Sequence, residues 1–193
     1  MIPASEEQER ALVDALKRGD DDAKMAFYEQ LYRYLTAVCS RYVVSDEDVK
    51  DLIQELFIKI FKRIEQFEWR GPGSLQAWSH RLAVNEALMY LRSKRRHPFL
   101  PIEWFEEQSV EEEYVDNPEI EGIPIKELET MIRKLPERYR TVFNLYVIED
   151  KSHAEIAAML GIKKDTSASN LHRAKALISK YIYDYNRRHR NGR

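Results

Sequence analysis

A predicted helix near the C-terminus carries side chains that can hydrogen-bond with DNA. Its apolar residues recur every three or four positions, which predicts one buried stripe: Leu171, Ala174, Ile178, Tyr181 and Tyr185. The predicted opposite face consists of Ala168, Ser169, His172, Arg173 and Ala176. The flanking cations, which can pair with phosphate, are Lys163, Lys164, Lys175 and Lys180. Polar and basic side chains in this arrangement are typical of a helix that contacts nucleic acid.

The elements before this helix predict how it is held. Residues 135–137 are Leu-Pro-Glu, and proline is common in the first turn of a helix. Ser152 and Glu155 have the spacing of a capping box that starts a second helix, and Gly161 is suited to end it. Two short helices joined by a glycine turn predict a helix-turn-helix, whose second helix enters the DNA major groove. The alternative, which the pattern favours less, is an ordinary three-helix packing unit with a solvated basic face.

A second candidate DNA surface lies in the N-terminal half. The predicted helix 74–96 carries Arg81, Asn85 and Arg92 on one stripe between two apolar edges. The first edge is predicted to consist of Leu75, Trp78, Leu82 and Met89, and the second of Val84, Ala87 and Leu91. The preceding loop, residues 68–73, adds Trp69 and Arg70. Rings beside cations favour single-stranded DNA, because rings stack on bases and cations pair with the backbone.

The aromatic residues of this region have an alternative role in the hydrophobic core. Phe67 and Trp78 are predicted to be core residues, whereas Trp69, between Glu68 and Arg70 in a loop, fits either role. The preceding helix also has a polar face, formed by Asp48, Asp51, Gln54 and Glu55. Such a face, taken alone, is interpreted as solvated.

Hydrophobic periodicity predicts helices along most of the chain and no strands. The predicted helices of the N-terminal half span 5–17, 21–42, 45–67 and 74–96. The first of them is expected to direct Ala11, Leu12, Ala15 and Leu16 inward. A further helix at 125–134 opens the C-terminal half. We therefore predict an all-α protein with a four-helix domain at 1–97 and a helix-turn-helix domain at 125–193, joined by a linker at 98–124.

Charge is strongly segregated along the chain, although the formal net charge is only −2. Residues 97–124 are rich in Glu and Asp and contain no Lys or Arg, so this connector is predicted to be an acidic linker. Residues 163–193 are predominantly basic, and so is the cluster at 92–96. Two basic patches separated by an acidic connector indicate two contacts with one polyanion.

The same sequence argues against several other classes of protein. Residues 1–17 include glutamates and no apolar run, so no signal peptide is expected, and no stretch has the length and apolarity of a membrane span. The single Cys39 excludes an internal disulfide and is expected to be a buried thiol in a reducing cytoplasm. His153 and His172 lie on different predicted helices without a Cys or carboxylate cluster at metal-ligand spacing, so no metal or other cofactor is expected. No carboxylate pair indicates acid–base catalysis, and no catalytic residue is expected.

The order of these motifs resembles a bacterial RNA polymerase sigma factor of the sigma-70 family, in the extracytoplasmic-function (ECF) group. Residues 48–57, DVKDLIQELF, resemble the segment of region 2 that binds core polymerase. Residues 67–92 resemble the segment that melts and recognises the −10 element. Residues 135–143, 152–162 and 171–175 resemble region 4, which recognises the −35 element. The resemblance covers nearly the whole chain in the family's order.

The resemblance implies a cytoplasmic transcription initiation factor without catalytic activity. Its implied partners are core RNA polymerase, at the β′ clamp coiled coil and the β subunit, promoter DNA and an anti-sigma factor. The residues implied for core polymerase are Asp48, Asp51, Leu52, Gln54, Glu55 and Phe57. Those implied for the −10 element are Trp69, Arg70, Arg81, Asn85 and Arg92. Those implied for the −35 element are Lys164, Thr166, Ser169, His172 and Arg173.

Some positions depart from the family's usual pattern. Met89 stands where the family commonly has Asp, and Ala168 and Asn170 stand where it commonly has basic residues. Because two common cations are absent, the family pattern does not give the −35 sequence that this chain recognises, and a weaker contact with that element is expected. The basic tail at 187–193 either compensates through phosphate binding or is a disordered tail, and the sequence favours neither.

The alternative function is a conventional helix-turn-helix regulator that acts without core polymerase. It predicts sequence-specific binding at a two-fold DNA site by the isolated protein. The sigma-factor resemblance predicts tight, specific binding only in the presence of core polymerase.

Overall fold

The computed structural model describes residues 5–95 and 119–190, and all regular structure within these ranges is helical. The α-helices are α1 (Glu6–Lys17), α2 (Asp21–Ser40), α3 (Asp46–Arg63), α4 (Ser74–Arg95), α5 (Ile125–Arg133), α6 (Glu137–Phe143), α7 (His153–Leu160) and α8 (Lys164–Arg190). A 3-10 turn at Ile64–Gln66 follows α3, and a π-helical turn at Asn144–Ile148 follows α6. The predicted all-α class is confirmed, whereas most of the predicted acidic linker lies outside the described residues.

The chain divides into two compact units, Met1–Leu100 and Pro101–Arg193, and each is described by itself. The finer domain bounds predicted from the sequence, at residues 97 and 124, remain predictions. In the part of the chain that the structure describes, no helix combines the length and the apolar character needed to cross a membrane.

The N-terminal helices begin where capping side chains occur in the sequence. Ser5, Asp20 and Ser45 each accept a hydrogen bond from the backbone N–H three residues further on. Acidic residues follow in the first turn of each helix, where the positive end of the helix dipole favours them. These predicted helix starts are confirmed.

The core of the N-terminal unit lies among α2, α3 and α4, which pack against one another. Phe27, Leu35, Leu56 and Ile60 are completely buried there. The ring of Phe27 meets that of Phe57 edge to face, with 6.1 Å between their centres. This aromatic contact joins the N-terminal half of α2 to α3.

The buried face of α1 differs from the predicted one. Val13 and Leu16 are buried, but Ala11, which was expected to face inward, is exposed. The most buried polar residue of α1 is Glu9, which no hydrophobic pattern indicates. Two backbone N–H groups before and within the first turn of α4 donate to the Glu9 carboxylate, so a tertiary contact rather than the apolar pattern decides which residues of α1 face inward.

The C-terminal unit is built on α8, against which α5, α6 and α7 pack. Leu171 and Ala174 are buried as predicted, and Ile178 is half-buried. Ala176, which was predicted on the exposed face, is buried instead, because three helices together cover more than one face of α8. α8 also begins at Lys164, slightly earlier than the caps predicted at 165 or 166.

Both ends of α7 have the predicted form. Ser152 and Glu155 make a complete capping box at the start of α7. Gly161 ends α7 with a φ of +68°, a left-handed conformation that costs a residue with a side chain roughly 1–2 kcal/mol. The sequence therefore specifies both the start and the end of α7 locally.

Burial of Cys39 makes its reactivity predictable. The side chain is completely buried, and this burial, with the nearby negative charge of Glu86, raises the pKa of the thiol to about 12. Because the thiolate is the reactive form, we expect the folded protein at about pH 8 to react with a disulfide reagent at least about a hundredfold more slowly than the unfolded chain. The measurement is the absorbance time course with and without guanidinium chloride. Equal rates under both conditions would contradict a buried thiol.

Candidate nucleic-acid and polymerase interfaces

α4 buries one face and exposes a polar stripe on the other. Arg81, Asn85 and Arg92 are exposed along this stripe. The buried face comprises Leu75, Ser79, Ala83, Val84, Glu86, Ala87, Leu88 and Leu91. The prediction for Met89 was wrong, because its side chain is 54% exposed and lies within the polar stripe. α4 thus has one continuous buried face rather than two separate apolar edges.

Two polar side chains on the buried face of α4 have hydrogen-bond partners. The hydroxyl of Ser79 donates to the carbonyl of Leu75 at 2.8 Å. The carboxylate of Glu86 pairs with the ammonium of Lys59 on α3. Buried polar groups require such partners, so they can occupy a helix face that hydrophobicity alone would not assign to the core.

Residues 68–73 form the loop that precedes α4. Trp69 is half-buried, and the guanidinium of Arg10 lies 4.0 Å from the centre of its ring, which is a cation–π contact. Arg70 is exposed and pairs with Glu68 at 3.2 Å. The loop therefore carries one aromatic ring and one cation just before α4, and α1 adds the cation of Arg10 beside the ring.

Buried contacts fix both ends of this loop. Phe67 is buried, and its ring centre lies 5.3 Å from that of the half-buried Trp78, which confirms the core role predicted for Phe67. Gly73 has a φ of +81°, which glycine adopts without strain, and its N–H donates to the carboxylate of Glu9 at 2.6 Å. No sequence pattern indicates Glu9 or Arg10, because a carboxylate in a first helical turn is common.

The exposed face of α3 contains Asp51, Gln54 and Glu55. Leu52 and Phe57, which the family resemblance places in the same interface, are only 4% and 3% exposed. Little of either side chain is accessible to a partner in this conformation, and both support the surface from the core. The ring of Phe57, for example, lies 4.6 Å from that of Tyr28 on α2.

Asp48 joins the start of α3 to the end of α4. Its carboxylate accepts a hydrogen bond from the ammonium of Lys94 at 2.6 Å. The hydrogen bond from Lys94 lowers the pKa of Asp48, and the same bond raises the pKa of Lys94. Both groups are therefore charged at neutral pH, and Asp48 binds another partner only if it exchanges or shares this contact.

The first turns of α8 present the residues assigned to the −35 element. Lys164, Thr166, Ser169 and His172 are exposed, and Arg173 is half-buried beside them. The Ser169 hydroxyl donates to the carbonyl of Thr166 at 3.1 Å, so it is oriented along the helix in this structure. These side chains occupy the position from which a recognition helix contacts base edges.

Side chains that the sequence did not single out for this role hold α7 against α8. Nδ1 of His153 lies 3.0 Å from the hydroxyl of Ser167, which is completely buried. The ring of Tyr146 stacks on that of His153 with 4.7 Å between centres. His153 thus positions the start of α8. Within residues 5–95 and 119–190, no cluster of His, Cys, Asp and Glu side chains is placed to hold a metal ion.

Known proteins match both units of the chain. Residues 27–97 match the family model for sigma-70 region 2, and residues 125–178 match that for sigma-70 region 4. The ECF RNA polymerase sigma-E factor of Haemophilus influenzae is 32% identical over 185 residues, which are 90% of this chain and 95% of that protein. The ECF RNA polymerase sigma-E factor of Escherichia coli K12 is 30% identical over 189 residues, covering 93% and 97%.

Solved structures resemble the chain more distantly. CnrH, in complex with the cytosolic domain of CnrY, is 19% identical with a TM-score of 0.48 and covers 91% of this chain and 97% of its own. The sigma factor RpoE of Bartonella quintana, in complex with the anti-sigma factor NepR, is 20% identical with a TM-score of 0.47, covering 82% and 97%. The two sigma-E factors, by contrast, are at least 30% identical across both units. The chain therefore belongs to the extracytoplasmic-function group of the sigma-70 family and is a transcription initiation factor.

Proposed function

We propose that this sigma factor uses three separate surfaces during initiation. α3 binds core RNA polymerase, α4 and the loop 68–73 bind the non-template −10 strand, and α8 binds the −35 duplex. The observation that carries the proposal is the exposed stripe of α4, where Arg81, Asn85 and Arg92 lie opposite a buried face. A regulator that acts without polymerase is disfavoured, because the sigma-E relatives match both halves of the chain.

The exposed face of α3 has the character of a protein-binding surface. Asp51 and Glu55 would repel DNA phosphates, and Ile58, one turn further on, is 54% exposed. A polar rim beside an exposed apolar side chain is common at protein interfaces. We assign this face to the β′ clamp coiled coil, with the β subunit contacting other parts of the chain.

The loop 68–73 and the stripe of α4 have the character of a single-strand site. Trp69 provides an aromatic ring, and Arg70 and Arg81 provide exposed positive charge. Asn85 adds an amide that can donate and accept hydrogen bonds at base edges. Single-stranded DNA has unpaired bases that can stack on rings, which duplex DNA does not offer.

The same proposal places the protein in the cytoplasm and gives it no catalytic residue, metal or cofactor. It includes control by an anti-sigma factor, as is usual for the group. Such a partner would act by covering the surface of α3 or the DNA-binding stripe of α4, because either contact blocks initiation.

Glu55→Lys tests the polymerase surface. Reversal of this exposed charge should weaken binding to core polymerase roughly tenfold, since complementary charge is lost and repulsion is added. Affinity is measured by titrating labelled protein with core enzyme, and transcript yield is measured in the same mixtures. Glu65→Lys, at another exposed site beyond α3, serves as the control. Equal affinity for Glu55→Lys and the control would exclude this face.

Arg81→Ala tests the −10 surface. The reconstituted holoenzyme should bind a single-stranded −10 oligonucleotide about tenfold more weakly, as expected for loss of an arginine at the bases or backbone. Core-polymerase affinity should be unchanged, because Arg81 lies on α4 and not on α3. Arg33→Ala, an exposed arginine on α2, is the matched control. An unchanged dissociation constant for Arg81→Ala would argue against the assigned stripe.

Arg173→Ala tests the −35 surface. We expect loss of roughly 1–3 kcal/mol of binding free energy at promoters that depend on a −35 element, as for an arginine that contacts bases. Because Arg173 is half-buried, the thermal stability of the variant is compared with that of the parent. Lys126→Ala, an exposed cation on α5, is the control. The assignment fails if the variant lowers transcription equally from promoters that contain a −35 element and from promoters that lack one.

A further inference from the structure

A carboxylate of α1 caps the start of α4 from a distance. Glu9 is only 1% exposed, although it is ionisable and lies in the first turn of its own helix. One carboxylate oxygen accepts the N–H of Gly73 at 2.6 Å, and the other accepts the N–H of Leu75 at 3.0 Å. The two donors flank Ser74, where α4 begins. Glu9 therefore fixes the junction between the loop 68–73 and α4.

This arrangement satisfies a general requirement of helix starts. The first N–H groups of a helix have no partner within the helix, and a negative charge there is favoured by the helix dipole. A capping side chain usually lies next to the helix in sequence, whereas Glu9 lies 64 residues before Gly73. A buried carboxylate also needs hydrogen bonds to remain in the core. The position of α1 and the conformation of the loop consequently depend on each other.

The next residue of α1 contacts the other part of the loop. The guanidinium of Arg10 lies 4.0 Å from the centre of the Trp69 ring and 3.3 Å from a carboxylate oxygen of Glu6. The indole N–H of Trp69 is buried without a hydrogen-bond partner among the described residues. The orientation of Trp69 is thus held by contact with Arg10 rather than by a hydrogen bond of its own.

We propose that Glu9 and Arg10 are positioning residues for recognition of the −10 strand. The inference rests on the proposed function of the loop 68–73 and α4. Glu9 holds the end of the loop and Arg10 holds the ring of Trp69, so the loop is ordered before DNA binds. A preorganised loop binds more tightly and selects bases more strictly, because its ordering entropy is not lost on binding. α1 thereby controls a DNA contact that it does not itself make.

The test measures base selection by the holoenzyme reconstituted with core polymerase. Labelled −10 single strands are used, one with the preferred sequence and others with single base changes. Glu9→Gln exchanges one acceptor oxygen for an amide and should weaken binding of the preferred strand about tenfold. The further loss of affinity caused by a single base change should be smaller in this variant than in the parent protein. Arg10→Ala should reduce discrimination at the base nearest Trp69. Glu7→Gln and Arg18→Ala, exposed changes in or next to α1, should leave both properties unchanged.

Two further measurements separate positioning from simple stabilisation. For every variant we would measure the affinity for core polymerase and the fraction of molecules able to bind the strand. Both are measured at a temperature well below the melting temperature of the variant. A purely structural role would lower the active fraction or the melting temperature but leave discrimination per active molecule unchanged, and that result would overturn the inference. If Glu9→Gln does not fold, Arg10→Ala, at an exposed site, decides the question in the same way.

Trp69→Ala and Arg81→Ala are assayed alongside these variants. If neither weakens strand binding, the proposed −10 site itself is wrong and the inference fails with it. If both weaken strand binding while Glu9→Gln and Arg10→Ala behave like the controls, the −10 site stands and the role of α1 is refuted. If Trp69→Ala and Arg81→Ala weaken strand binding, and Glu9→Gln and Arg10→Ala also discriminate less between bases, the role of α1 is supported.

Discussion

The rotational orientation of α4 is the constraint on which the N-terminal unit depends. Leu75, Ala83 and Leu88 are buried in a unit where α4 packs on α2 and α3, and a helix buried on one face can present only the other. Glu86 reinforces this orientation, since its buried carboxylate requires the ammonium of Lys59 and a rotated helix would separate them. The exposure of Arg81 and its neighbours on the stripe is thus a consequence of core packing, and the direction in which the candidate DNA surface faces cannot change independently of the core.

The C-terminal unit follows the same principle with different contacts. The capping box at Ser152 and the left-handed Gly161 determine where α7 starts and ends. Contact between His153 and the buried Ser167 then fixes α7 against the first turns of α8. The side chains assigned to the −35 element lie on those turns, so the geometry of the turn decides which of them can reach a groove. In both units, polar contacts beside the candidate surface orient the helix that carries it.

Local rules predicted much of this structure, and long-range contacts explain what they missed. The caps at Ser45 and Ser152 were predictable because capping depends on residues three positions apart. Met89 was placed wrongly because apolar residues surround much of α4, and only packing decides which of them is buried. A motif also does not separate exposed residues from the buried ones that support them, as Leu52 and Phe57 illustrate. The capping of α4 by Glu9 joins distant parts of the chain and has no local pattern.

The two candidate surfaces of the N-terminal unit are parts of one packed body. Lys94 on α4 pairs with Asp48 at the start of α3, and Glu86 on α4 pairs with Lys59 further along α3. These contacts link the helix assigned to polymerase with the helix assigned to the −10 strand at two separate points. Because α3 and α4 are ordered by folding, docking of α3 on polymerase, as proposed, would fix the direction of the α4 stripe without a further ordering cost. In the proposed function, a sigma factor built in this way would present the α4 stripe to the strand in its folded orientation, and its base selection would depend on how firmly the loop before α4 is held.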